Sequence, residues 1–466
     1  MHEFLIELIR SRVHILLAFF CVWSFESQAA DWPTFGADYS RSHIAAEGLS
    51  MPLEEIWSFQ PVFPPQPAWR GEAKLDGYNK VFDMKARQTF DHAFHPIIVE
   101  SRVYFGSSSS DKTYCLDAHT GRRQWVFYAE GPIRLAPTHQ GERLFVGSDD
   151  GHVYCLDPVD GSLIWKTRPG PSGRRIPGNG RLISNWPIRT SLVVIDGQVY
   201  GSAGMFPSEG VYLFCLDAQD GSVNWVRKNT DLPAQGYLLA SPTRLYVPAG
   251  RSNPVVYDRA NGDRLRVVSG QGGTYCLLTG DTLVFGPGKT GVLGLVQPES
   301  SDQLASFTGN HMIVTPSVSY LHGDSEISAL DRSRYLRLAE ERNQLKELQT
   351  QAVRRLRELE DSGDSDEVQG TLRERLAAVA DRIDAIGTEM AECEKWSVAC
   401  DHPFALTLAG DVLYTGGENS VSGKSVVDGE SVWEATTKGD VYGIAVGSGV
   451  LIASTHEGYL HAFATK

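Results

Sequence analysis

The feature that most limits what this chain can fold into is a repeat. Three segments share one pattern: TYCLDAHTGRRQW (113–125), VYCLDPVDGSLIW (153–165) and LFCLDAQDGSVNW (213–225). Each reads as an alternating strand, an Asp, a turn ending in Gly and a second strand carrying Trp. Alternation broken by a TG or DG turn is a hairpin signal, because Gly supplies the positive φ that the turn needs. Another hairpin precedes each copy, in VYFGSSSSDK (103–112), RLFVGSDDGH (143–152) and QVYGSAG (198–204). The unit is therefore four strands in roughly 40 to 60 residues, the period of a propeller blade.

Degenerate copies continue at 237–268, 274–307, 312–331, 404–435 and 441–466. The last has three strands, and LEEIWSF (53–59) carries Trp57 where the fourth strand would. The expected fold is all-β, an eight-bladed β-propeller of four-stranded blades, with strand 53–59 closing the ring and removing open sheet edges. Trp57, Trp125, Trp165, Trp225, Trp396 and Trp433 all fall on the outer-strand position, where a ring repeated once per blade packs between blades.

The Leu-Asp-Ala-x-Thr-Gly-x-x-x-Trp pattern resembles the pyrroloquinoline-quinone (PQQ) repeat family, and DWPTFGADYSRS (31–42) is similar to the stretch that opens many such propellers. That family includes quinoprotein alcohol dehydrogenases and the propeller lipoprotein of the outer-membrane assembly machine. The resemblance implies the fold; the repeat motif itself is structural and does not imply that the quinone is bound. For a dehydrogenase it would imply quinone near the axis, calcium held by Glu, Asn and Asp, and a pair of adjacent cysteines. This chain has no Cys-Cys pair and no haem motif. No cofactor is therefore assigned from sequence, and PQQ with calcium stands as the one the resemblance offers.

Residues 332–393 break the repeat with a highly charged stretch that lacks Pro. Leu372, Leu376, Val379, Ile383, Ile386, Met390 and Cys393 alternate spacings of four and three, and Leu338, Leu345, Ala352 and Leu359 recur every seven. These are heptad seams, and the polar DSGDSDE (361–367) separates them. The expectation is an antiparallel α-helical coiled-coil hairpin over 332–394, inserted in blade six in place of its tight turn. The propeller's first part is then 30–331 and its last part 395–466. The hairpin is either a solvated decoration or an arm that engages a protein partner.

Ahead of the repeats, VHILLAFFCVW (13–23) is about 11 residues long, too short to span a bilayer core of ~30 Å. Arg10 and Arg12 precede it and Ser27-Gln28-Ala29 follows. This reads as a signal peptide over 1–29, giving an exported protein of the periplasm or cell envelope with no transmembrane segment in the mature chain. The alternative is an uncleaved anchor. Cys115, Cys155 and Cys215 recur at one repeat position and read as buried thiols, while Cys393 and Cys400 are close enough in sequence to form a disulfide. The formal charge of −14 argues against a nucleic-acid partner, which would need a basic footprint.

Candidate site residues cluster where blade connections are long. Pro132-Ile133-Arg134 and Pro187-Ile188-Arg189 occupy similar places in successive blades, so Arg134 and Arg189 should lie side by side near the axis. Arg174, Arg175, Arg181, Trp186 and Arg251 accompany them. Such a group would bind a small anion or acidic sugar through bidentate hydrogen bonds, or would instead pair internally with Asp149, Asp150 or Glu209. His92 and His95, in FDHAFHP, offer a ligand-binding pair or a general base without a third ligand, so no metal site is assigned. The leading functional expectation is an exported interaction scaffold or ligand-binding propeller. The alternatives are a PQQ-dependent dehydrogenase and an anion or carbohydrate binder at the arginine-lined face.

Overall fold

The computed structural model describes residues 31–68, 89–250, 252–270, 272–287, 291–362 and 366–466. The signal-peptide reading and Arg251 lie outside these. Eight four-stranded antiparallel meanders make up an eight-bladed propeller. In chain order they run 97–128, 138–167, 193–229, 239–267, 275–308, 311–399, 405–436 and 441–465, the last paired with Leu53–Phe59. That pairing is antiparallel, from Leu53 opposite Thr465 to Phe59 opposite Leu460. A small hairpin, Arg175–Gly178 with Arg181–Ser184, occupies one long blade connection.

The tryptophans act as spokes between blades. The indole N–H of Trp57 donates to Ala118 O at 2.8 Å, that of Trp125 to Pro158 O at 3.1 Å and that of Trp165 to Ala218 O at 3.2 Å. Trp396 and Trp433 make the same bond to Val426 O and Leu53 O. Each acceptor of the first three follows the repeat Asp of the next blade, whose carboxylate caps the turn, as Asp117 does for His119 and Thr120. The turn glycine is required twice over. Gly221 has φ +73°, and a Cβ there would sit 2.6 Å from Trp165. The indole therefore packs flat on a position that only Gly can fill. Trp225 departs from the pattern, since its Nε1 has no acceptor.

Residues 31–48 do something the repeat did not foretell: they plug the channel. Trp32 exchanges hydrogen bonds with Ile98, and His139 N, Ala240 N, Leu278 N and Leu408 N donate to Pro33, Tyr39, Ser40 and His43 carbonyls. Ile44–Ala45 adds a parallel strand to Ala405–Ala409. Arg41, fully buried, staples the segment by donating to Leu238 O at 2.9 Å, Thr34 Oγ1 at 2.8 Å and Ser191 Oγ at 3.1 Å. The plug meets the far ends of the inner strands. One end of the channel is thus closed, and the end where blade connections lie is left open.

Two helices, α1 (Arg332–Ser362) and α2 (Asp366–Ala391), join Glu326–Asp331 to Glu394–Ala399, strands that pair with each other. They run antiparallel, tied by Arg334–Glu392 at 2.9 Å, Arg382–Glu341 at 2.8 Å and Arg373–Glu360 at 2.6 Å. Every residue of the two heptad seams is buried or half-buried. Leu338, Ala339, Ile386, Met390 and Cys393 form a small core at the base. Tyr335 packs at a tilt against Phe307 of the neighbouring blade, 5.3 Å between ring centres, and Arg332 pairs with Asp281. Strand alternation sends this third-to-fourth connection out on the plugged face. All six described cysteines are free and buried, so Cys393 and Cys400 are not bridged.

Candidate functional site at the mouth of the propeller

The open face carries two unlike halves. On one side, Asp91, Arg134 and Arg189 each precede an inner strand, and Asp149 follows a second strand. Arg134 and Arg189 do come together, as their matching positions suggested, but around a carboxylate. Arg134 Nε donates to Asp149 Oδ2 at 2.7 Å and Arg189 Nε to Asp149 Oδ1 at 2.7 Å. Arg189 Nη2 adds a bond to Asp149 Oδ2 at 3.1 Å, and Arg134 Nη1 reaches Asp91 Oδ2 at 3.2 Å. Two arginines and two aspartates cancel. Burial works to lower both arginine pKa values; at Arg134 the two aspartates overcome it, while at Arg189 burial prevails.

The other described arginines of the set are engaged too. Arg174 pairs with Glu209 at 3.4 Å, Arg175 with Glu130 at 3.0 Å, and Arg181 with Asp111. Trp186 is a core residue: it packs edge-on against Tyr212 and donates to Glu209 O at 3.1 Å. Of the two readings the sequence offers for these arginines, the described ones make internal ion pairs. An anion would have to displace a carboxylate already held by charge-assisted bonds.

On the other side lies a cavity of about 360 Å³. Its floor is Phe35 of the plug stacked on Tyr237, 3.5 Å between ring centres at 10°. Its far wall is Phe404 stacked on Tyr442, at 4.6 Å and 19°. His43, His95, Tyr275 and His311 complete the aromatic lining, and exposed Asp324 and Glu418 stand at the rim. Among the described residues, the lining includes no lysine or arginine. His95 stands edge-on to Phe35 and Tyr237. Its ring donates to Phe90 O, and its Nε2, buried at the cavity wall, has no partner. Burial pushes the pKa of His95 down to about 4 and that of His43 to about 3, so both are neutral imidazoles near pH 7.

Sequence reasoning found His95 and missed the rest of this cavity. His92 lies beside it, edge-on to Tyr442 at 5.3 Å. A signal was present: Tyr237, Tyr275, His311, Phe404 and Tyr442 all stand within two residues of the start of an inner strand, in different blades. Each blade contributes one ring, so no linear motif forms. Among the described residues, no group of three His, Cys, Asp or Glu is arranged to hold a metal ion.

Comparison with known proteins supports the repeat reading. The family model for outer membrane protein assembly factor BamB matches residues 55–227 and 115–275. The 1-butanol dehydrogenase (quinone) of Thauera butanivorans is 24% identical over 144 residues, 28% of this chain and 22% of the relative. The quinoprotein ethanol dehydrogenase of Pseudomonas putida is 24% identical over 143 residues, again 28% and 22%. These matches span only about a fifth of the relatives' length. Among solved structures, quinohemoprotein alcohol dehydrogenase from Comamonas testosteroni superposes with TM-score 0.60 at 12% identity, covering 94% of this chain and 81% of that one. A europium-containing methanol dehydrogenase gives 0.58 at 9%, covering 94% and 98%. At such identities the likeness is one of fold.

Pyrroloquinoline quinone is a tricarboxylate, and the described cavity can be tested against it. Asn310, Asp324 and Glu418 supply the residue types that the resemblance implies for calcium, with Asn310 Nδ2 donating to Asp324 Oδ1 at 3.0 Å. The described lining offers no cation for the quinone's carboxylates, two carboxylates of its own, and Cys276 in place of an adjacent pair. Among the described residues, the lining thus matches calcium by residue type and leaves the quinone's carboxylates without a cation.

Proposed function

The chain is a PQQ-repeat β-propeller, and on that basis we propose that it works as an exported interaction scaffold. In this reading the closed ring is a rigid base, and the helical hairpin of the sixth blade is the arm that engages a protein partner in the cell envelope. The observation that carries it is the way the hairpin is mounted. It replaces a turn of a few residues by arms of about 46 and 39 Å, at ~1.5 Å per residue. Its base is fixed to the neighbouring blade through Tyr335 and Arg332, which a loosely tethered decoration would not need. Leu348, midway along the first arm, and Val368, beside the tip, are exposed apolar residues, 54% and 49% accessible. An apolar side chain there gains most when a partner covers it.

The test is site-specific photocrosslinking in the native envelope, with the crosslinker placed at 348, 368 and, as a control, at exposed ring positions such as Val427. One defined adduct from the hairpin, absent from the ring, is expected. Equal labelling at all three positions would reject the arm. The relatives named as quinone dehydrogenases support a second reading, redox catalysis at the mouth. Retention of quinone by the washed, calcium-loaded protein tests it.

A further inference from the structure

The cavity at the mouth has a polarity of its own, and it runs from floor to rim. At the floor, Phe35 and Tyr237 present an apolar stacked pair, backed by the buried guanidinium of Arg41, 5.8 Å from the Tyr237 ring centre. Arg41 has its donors engaged by Leu238 O, Phe35 O, Thr34 and Ser191, so it holds the plug and offers nothing to the cavity. At the rim, the half-buried rings of Phe404 and Tyr442 adjoin the exposed carboxylates of Asp324 and Glu418. Asp401 joins these acids in the crevice next to the cavity. The protein as a whole carries a formal charge of −14. Every described charge on the cavity lining is thus negative, and the two histidines nearest the floor are neutral.

We propose that this cavity is a binding site for an organic cation with an aromatic or apolar body, held body-down on the Phe35–Tyr237 stack and ammonium-up between Tyr442, Phe404, Asp324 and Glu418. Three independent features meet here. Aromatic faces attract a cation through their quadrupole, more strongly when the contact is shielded from water. Rim carboxylates draw cations in and repel anions. The unpartnered Nε2 of His95, on a side chain that is 6% exposed, is an acceptor that the folded chain leaves unused at the wall of the cavity. A volume of about 360 Å³ lies within the ordinary range for small-molecule pockets. The inference does not depend on what the hairpin does, because the hairpin leaves the opposite face.

The experiment is isothermal calorimetry and thermal unfolding of the full chain with three probes of similar shape: benzyltrimethylammonium, benzyl alcohol and benzoate. The cation should bind with an affinity at least about ten-fold above that of the neutral and anionic probes, and it should raise the melting temperature in proportion to its concentration. Added salt should weaken it. In Asp324→Asn/Glu418→Gln, which keeps a side-chain oxygen to accept from Asn310, the cation should lose about ten-fold in affinity while the free protein still gives a cooperative melting transition. Phe404→Leu should lose affinity through the ring alone. Benzyl alcohol binding as well as the cation, benzoate binding better, an affinity unaltered by the double substitution, or no binding of the cation would each overturn the proposal.

Discussion

The two halves of the propeller mouth are built from the same kinds of position, residues that precede inner strands or follow second strands, and they end up as opposites. The half around Asp149 gathers four charges, buries them and cancels them. The half around Phe404 gathers rings, leaves a cavity and places exposed acids at its edge. A cluster of arginines in a sequence reads as an invitation to an anion. In this fold it is a structural joint, and the invitation comes from the half that has no cluster at all.

The comparison predicts the largest effect at its charged centre. Asp149→Ala strands two buried guanidiniums and should cost about 3–5 kcal/mol in urea unfolding. A loss below about 1 kcal/mol would mean the arginines find other acceptors and that this half is less closed than it looks. Next comes acid sensitivity on the aromatic side. The folded pKa of His95 is lowered from 6.5 to about 4, and His322, fully buried, is lowered likewise. The unfolded chain therefore takes up these protons first. Stability is fully present above pH 6.5 and falls as pH drops from there toward 4, by on the order of 3 kcal/mol for His95. His95→Gln should flatten that slope between pH 6.5 and 4 relative to the parent chain; an unchanged slope would show that His95 is not buried as a neutral ring. The smallest effect belongs to the exposed pairs. Arg175→Ala should shift stability by no more than about 0.5–1 kcal/mol and leave ligand binding untouched, as exposed ion pairs do.

How far the sequence could be read follows from where each feature stores its information. Trp125, Trp165, the turn glycines and the seam from Leu372 to Cys393 repeat at fixed intervals, and periodicity is what survives in a linear text. The arginine pair was legible as a pair for the same reason, since Arg134 and Arg189 sit at equivalent places, but its partner was one of three named acids and only geometry selects Asp149. The plug was not legible. Its bonds, such as Trp32 to Ile98 and His43 to Leu408, are to single residues in distant blades. The cavity is assembled in the same way, one ring per blade, so Tyr237 and Phe404 look like any other aromatic before a strand. Residues 69–88 and Arg251 lie outside the described residues.

On this reading the mouth discriminates by charge, with its described arginines spent internally and its cavity open to cations. The most direct measurement is equilibrium dialysis of one protein sample against pyrroloquinoline quinone with calcium and, in parallel, against benzyltrimethylammonium. Retention of the cation without the quinone is the expected result. Quinone held in a one-to-one ratio after washing, with the cation not retained, would contradict it and return the mouth to redox chemistry.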